Sequence, residues 1–243
     1  QYRMNEKIME FPSRFFYENK LVAHDSVRSR RLRPDHPPIT FLDTAGCGYL
    51  EKQDPETLSR MNAEEASLLM RQVEALIEDI GVNTWLDEQF TMGIITPYSA
   101  QVDQLHKLAE ASAIVEPLHR LVTINTVDAF QGQERDLMLS SYSVADPDFT
   151  RAEDEFILSA RRFNTTLTRT KCKFVMFVSD ALTHYLPPDP DLAREAAHLQ
   201  LFVEDYCTSV VEDLVLPFVS AGVTISVPVR FRGRVGQTSG HGA

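Results

Sequence analysis

Short apolar, β-branched runs alternate along this chain with longer segments whose apolar residues recur every three to four positions. That alternation predicts an α/β fold with a mainly parallel sheet. Runs at 39–43, 92–96, 121–127, 136–144 and 173–179 predict strands. Between the first two, Asn62 stands as a helix N-cap with Glu65 three positions on as its reciprocal partner. Ala66, Leu69, Val73, Leu76, Ile77 and Ile80 then share one face, and Gly81 supplies the stop. A further helix is predicted from Ser99, burying Val102, Leu105 and Leu108, with others over 159–168 and from Pro190 to about 211. Beyond Val229 the chain is rich in Gly, Arg and Ser, which predicts a mobile tail. The expected organisation is one compact domain over 1–180, a helical extension over 181–228 packed on it, and a tail over 229–243.

Composition narrows the class. A chain of 243 residues, 43 % apolar and 24 % charged, is long enough to bury a full core and unlike disordered or fibrous sequences. Its net charge of −11 argues against coating nucleic acid by bulk charge. The charge is uneven, however: residues 1–33 carry eight Arg or Lys against four acids, and 161–173 carries Arg161, Arg162, Arg169, Lys171 and Lys173 with no acid. Cys47, Cys172 and Cys207 are too scattered for a disulfide framework or a zinc site, so no metal site is expected and a reducing compartment, cytoplasmic or nuclear, is. No apolar run approaches the roughly 20 residues needed to cross a bilayer, and no membrane partner is expected. With no initiator Met, the opening Gln1-Tyr2-Arg3-Met4 reads as a piece of a longer protein.

Four strings could carry chemistry. Val127-Asp128-Ala129-Phe130-Gln131-Gly132-Gln133-Glu134 follows one predicted strand and feeds the next. Gly132 would let a ligand approach the backbone, while Gln131 and Glu134 offer amide and carboxylate groups to hydroxyls or a water. An ordinary polar turn would read the same way. Asn164-Thr165-Thr166-Leu167-Thr168-Arg169-Thr170-Lys171 carries an arginine, whose planar fork suits a phosphoryl group, although a solvated helix face is the bland alternative. Tyr2 beside Arg3 pairs a ring able to stack on a base with a cation able to meet phosphates. Ile95-Thr96-Pro97-Tyr98 places a hydroxyl, a rigid turn and an aromatic at a strand end.

In this order and spacing, the four strings resemble the second RecA-like domain of superfamily 1 helicases, in the branch of the nonsense-mediated-decay and immunoglobulin-mu-binding helicases. The resemblance runs from Gln1 to about Asp180, and Thr126 to Glu134 follows the family's fifth motif without departure. It implies a RecA-like P-loop NTPase fold in which Tyr2 stacks on adenine, Arg3 and Arg169 reach the γ-phosphate and Glu134 hydrogen-bonds the ribose, with Gln1 and Gly132 in the same nucleotide site. It further implies that Thr96, Pro97, Tyr98 and Thr126 contact a nucleic-acid strand. Thr170 stands where the family usually has Ala, which touches only local packing.

No Gly-x-x-x-x-Gly-Lys-Ser/Thr string occurs, so the chain lacks its own phosphate-binding loop. The resemblance places that loop, and the carboxylates that hold Mg²⁺, in a first RecA-like domain. The expectation is therefore the C-terminal motor domain of an ATP-dependent helicase or translocase moving 5′ to 3′, with ATP and Mg²⁺ as cofactors, single-stranded DNA or RNA as track, and no activity alone. A docking module that has lost motor activity is the competing expectation. Asp43-Thr44-Ala45-Gly46-Cys47-Gly48 looks like a string of the same branch and has no assigned role.

Overall fold

The computed structural model describes residues 1–130, 132–211, 214–220, 223–229 and 231–234. Strands are β1 (Ile39–Asp43), β2 (Lys52–Gln53), β3 (Arg60–Met61), β4 (Met92–Thr96), β5 (Val122–Thr126), β6 (Arg135–Ser141), β7 (Thr170–Val178), β8 (Ser209–Val210), β9 (Leu214–Ser220), β10 (Val223–Val229) and β11 (Phe231–Arg234). Helices are α1 (Glu6–Phe16), α2 (Asp25–Arg28), α3 (Ala63–Ile80), α4 (Val82–Asp87), α5 (Ser99–Ala111), α6 (Pro147–Ala152), α7 (Asp154–Ile157), α8 (Ala160–Thr168), α9 (Asp180–Thr183) and α10 (Pro190–Leu201). A seven-stranded sheet runs β5-β4-β6-β7-β1-β11-β8. Its first five strands are parallel, and β11 and β8 close it antiparallel. This is the RecA-like α/β arrangement, with helices on both faces.

The central strands are buried along nearly their whole length because both faces are covered, and successive residues enter different cores. Phe174, Met176 and Val178 of β7 point into one core with α1, α8 and α10, whereas Val175 and Phe177 point into the other with α3 and α5. Gly93, in mid-β4, has no room for a side chain: a Cβ there would lie 2.5 Å from Met138 Sδ and 2.7 Å from Phe130 Cζ. α3 is capped as the pattern predicts, the Asn62 side chain accepting from the Glu65 N–H at 2.9 Å, and it stops at Gly81 with φ +90°. The reciprocal half of the box does not form. The Asn62 N–H donates instead to Gln101 Oε1 at 2.8 Å, and the Glu65 side chain turns into the core.

Past residue 180 the structure departs from a helical extension. Helix continues through α10 and a π-helical turn at Phe202–Tyr206, and from Ser209 the chain becomes strand. β9 and β10 form a hairpin, and β11 returns to pair with β1, Leu42 against Phe231. Residues 231–234 are thus strand where composition suggests a mobile tail. Gly233 makes the pairing possible, since a Cβ on it would lie 2.2 Å from the Ile39 carbonyl oxygen. Residues 230 and 235–243, the rest of that expected tail, lie outside the described residues.

Candidate nucleotide and nucleic-acid site

Because the sheet is parallel, its two edges collect different parts of the motifs. β6 begins at Arg135 and β7 at Thr170, so Glu134 and Arg169 meet at the amino edge. The Arg135 N–H donates to the Arg169 carbonyl at 3.0 Å, and the Asn5 N–H donates to the Lys171 carbonyl at 2.8 Å, which lays residues 1–5 across the same edge. Arg3 donates through Nε to the Glu134 carboxylate and through Nη1 to the Thr168 carbonyl at 3.0 Å. Lys171 Nζ stands 3.4 Å from Glu134. Partial burial pushes the Glu134 carboxyl up, but the Arg3 hydrogen bond and the charges of Arg3 and Lys171 outweigh it and hold the group below its usual range. Arg169 is half-buried, and its Nε has no hydrogen-bond partner among the described residues. One guanidinium and one ammonium thus hold the Glu134 carboxylate, and the backbone of Arg169 lies on the same edge.

The Tyr2 ring is 72 % exposed, and its one ring contact among the described residues is His24, with centroids 4.5 Å apart and planes inclined by 32°. Main-chain bonds fix the pair: the His24 N–H donates to the Gln1 carbonyl at 3.0 Å, and the Gln1 nitrogen donates to the Val22 carbonyl at 2.7 Å. One face of Tyr2 is backed and the other is open to a flat ligand. The Gln1 side chain is spent on the turn itself, Oε1 accepting from the Arg3 and Met4 N–H groups at 2.8 Å and Nε2 donating to the Met4 carbonyl at 3.0 Å. Gly132 has φ +81° with open space around it, so its need for glycine is conformational. Gln131 lies outside the described residues.

Thr96 and Thr126 end β4 and β5 at the carboxyl edge. Thr96 is fully buried, its Oγ1 3.2 Å from Ser143 Oγ, so a ligand there would meet backbone rather than its hydroxyl. Tyr98 is 9 % exposed and packs against Phe149 and Phe156. Pro97 and Thr126 are partly exposed. Thr96 is the outer member of a buried polar chain that sequence reading missed. Ser143, at φ +64°, donates its N–H to Glu65 Oε1 at 2.9 Å, Ser141 Oγ donates to the same oxygen, and Gln101 Nε2 donates to Ser141 Oγ at 3.0 Å. The signal was present in Glu65 itself: a carboxylate one turn into a helix whose neighbours Ala66 and Leu69 are buried is poorly placed to reach water.

The loop 127–134 joins the two edges. It leaves Thr126 at the carboxyl edge and delivers Glu134 to the amino edge, pinned midway by the fully buried Phe130 lying over Gly93. The basic stretch of 1–33 is less open than its count suggests. Lys7 pairs with Glu10, Lys20 with Glu18, Arg28 with Glu6 and Asp25, and Arg33 with Asp35 and Asp79. Asp43 gains a structural role, its Oδ1 accepting from the Ala45 and Asp180 N–H groups at 2.9 Å and tying the 43–48 turn to the end of β7.

The chain belongs to the AAA domain family, which matches residues 1–181, and most of its length is similar to helicases of the superfamily 1 type. It is 33 % identical over 198 residues to "Uncharacterized ATP-dependent helicase MJ0104" of Methanocaldococcus jannaschii, covering 75 % of this chain and 26 % of that protein. It is 32 % identical over 193 residues to "DNA polymerase alpha-associated DNA helicase A" of Saccharomyces cerevisiae, covering 72 % of this chain and 26 % of that one. To "DNA-binding protein SMUBP-2" of Rattus norvegicus it is 30 % identical over 193 residues, covering 75 % and 18 %. The chain thus spans about a quarter or less of the length of these relatives. Among the described residues no helix is long and apolar enough to cross a membrane.

Proposed function

We propose that this chain is the second motor domain of an ATP-dependent nucleic-acid helicase or translocase, supplying arginine fingers to a nucleotide held chiefly by a first RecA-like domain elsewhere in the same protein. The observation that carries the reading is the convergence of Arg3, Glu134, Arg169 and Lys171 on one sheet edge, beside a tyrosine ring with one open face. ATP fits this half-site: adenine on Tyr2, ribose hydroxyls on Glu134, and the γ-phosphate within reach of Arg3 and Arg169. Mg²⁺ does not fit it, because Glu134 is already held by two cations, so the ligands of that ion would come from the first domain.

Arg3 and Arg169 would stabilise the negative charge that spreads over the transferred phosphoryl group, a contribution worth about 10³–10⁵ in rate in such enzymes. ATP would also free Arg3 from Glu134, since the ribose competes for the carboxylate and the phosphate for the guanidinium. Loop 127–134 would pass that change to the carboxyl edge, where strand contacts by the 96–98 and 126 backbone alternate with closure of the cleft. Motion from 5′ to 3′ belongs to the same reading. The test is ATP hydrolysis stimulated by single-stranded nucleic acid in the full-length protein: Arg169→Ala should lose nearly all turnover while still binding nucleotide. Undiminished turnover would refute the finger, and a docking module would show none in the parent either.

A further inference from the structure

At the carboxyl edge, next to Tyr98, a cavity of 280 Å³ opens between the β2–β3 hairpin and the short helices α6 and α7. Its walls include Gln53, Arg60, Tyr98, Phe149, Glu153 and Phe156. The hairpin is clipped to the start of α5, Ser59 Oγ accepting from the Ala100 N–H and from Ser99 Oγ, both at 3.1 Å, so the cavity is built onto the strand-end segment itself. The Arg60 guanidinium lies 3.8 Å over the Phe149 ring, and the Tyr98 ring stands 6.2 Å from Phe149 and 5.9 Å from Phe156. Two donors in these walls have no hydrogen-bond partner among the described residues: Arg60 Nε, and the hydroxyl of Tyr98, a side chain 9 % exposed. Buried donors left unpaired are costly, and a site that keeps two of them is one a ligand can satisfy.

The chemistry of the walls selects the ligand. One cation faces one anion, Glu153, so a phosphate would gain from Arg60 and lose to the carboxylate. A nucleobase fits both: its ring stacks on a guanidinium plane or an aromatic face, its ring nitrogens and carbonyls accept from free donors, and its exocyclic amine donates to a carboxylate. The volume is at the small end of ligand pockets, which run about 300–1,000 Å³, and suits one base rather than a larger ligand. Leu58, 67 % exposed at φ +59° on the hairpin tip, gives the rim an apolar shoulder.

We propose that this cavity is a nucleobase subsite on the strand-binding edge, with Arg60 on Phe149 as its stacking platform, a reading that rests on the strand-binding function above. The subsite holds one base of a single strand and distinguishes stacked from missing bases rather than one sequence from another. The experiment measures binding of the full-length protein to single-stranded oligonucleotides in which one abasic position is stepped along the strand. Wild type should lose about five-fold or more in affinity when the abasic position reaches one register. Arg60→Ala should weaken binding to the intact strand by a similar factor and show no further loss at that register. Phe149→Leu, which keeps apolar bulk, should do the same, with unchanged unfolding midpoints confirming that both variants fold. A flat abasic profile in a wild type that binds the strand, or an Arg60→Ala protein that keeps the register-specific loss, would overturn the subsite. A wild type that binds no single strand would instead overturn the strand-binding reading, and the subsite with it.

Discussion

Replacing Glu65 by Gln should change how the stability of the domain depends on pH. Glu65 is fully buried, and that burial is the main cause that pushes its carboxyl up from 4.5 to about 7, against the opposing hydrogen bonds from Ser141 and the Ser143 N–H, with the nearby Glu51 charge adding to the rise. Between those pH values the folded chain keeps a proton that the unfolded chain releases. The stability it contributes is therefore fully present below about pH 4.5 and is lost as pH rises through about 7. At about 1.4 kcal/mol per unit, the loss is about 3 kcal/mol, a large share of the roughly 5–15 kcal/mol that holds a domain folded. Glu65→Gln keeps the accepting oxygen for both partners and puts a neutral amide where Oε2 has no hydrogen-bond partner among the described residues. Its cost or gain from packing is the same at every pH, and the titration disappears. Urea unfolding of the two proteins from pH 4.5 to 8 isolates that term, because every other titrating group is common to both. The variant should gain about 3 kcal/mol relative to wild type across the range, and parallel curves would refute the buried-acid argument.

Two further outcomes follow from the same geometry. His24→Ala, which removes the ring backing Tyr2, should raise the KM for ATP about two- to ten-fold with kcat unchanged in the full-length protein, and His24→Phe should restore it, since aromatic pairs are worth about 0.5–1.5 kcal/mol; a fall in kcat instead would mean that His24 does more than hold the ring. Gly93→Ala should destabilise by about 1–3 kcal/mol through overpacking against Met138 and Phe130, and Phe130→Leu in the same chain should recover part of the loss; a thermal midpoint unchanged by Gly93→Ala would refute the close approach.

The strands β1 and β4 were legible to the residue, because their apolar runs are bounded by polar or proline-containing segments. β6 was legible at its start and not at its end: its apolar run continues to Val144, yet Ser143 takes a left-handed backbone conformation and the strand stops at Ser141. α1 was not legible in the apolar pattern because Pro12 interrupts it, although the Asn5 side chain accepts from the Lys7 N–H at 2.8 Å and caps its start. Of the motif residues, Arg3 and Glu134 meet as charges of opposite sign would, whereas the burial of Thr96 and Tyr98, which the resemblance places on a nucleic-acid strand, was not legible. Strand-end position is local information, while burial depends on what the distant hairpin and α6–α7 lay over it. The aromatic cavity beside Tyr98 was invisible for the same reason, since Arg60, Phe149 and Phe156 come together only in three dimensions.

The pairing of β1 with β11 sets a timetable for synthesis. β1 is made early and is buried along its whole length, yet its two neighbours are Phe174 to Val178 on one side and Phe231 to Arg234 on the other. At about 5–20 residues per second, the ribosome needs roughly ten to forty seconds between Leu42 and its partner Phe231. Through that interval the apolar strand waits with both edges bare until β7 is made and with one edge bare thereafter, and it keeps that edge bare permanently in any chain cut after residue 181, where the family match ends. The unit that folds cleanly is therefore longer than the unit that carries the motifs, and a chain ended at the motif boundary should associate edge to edge while one carried through Arg234 stays monomeric.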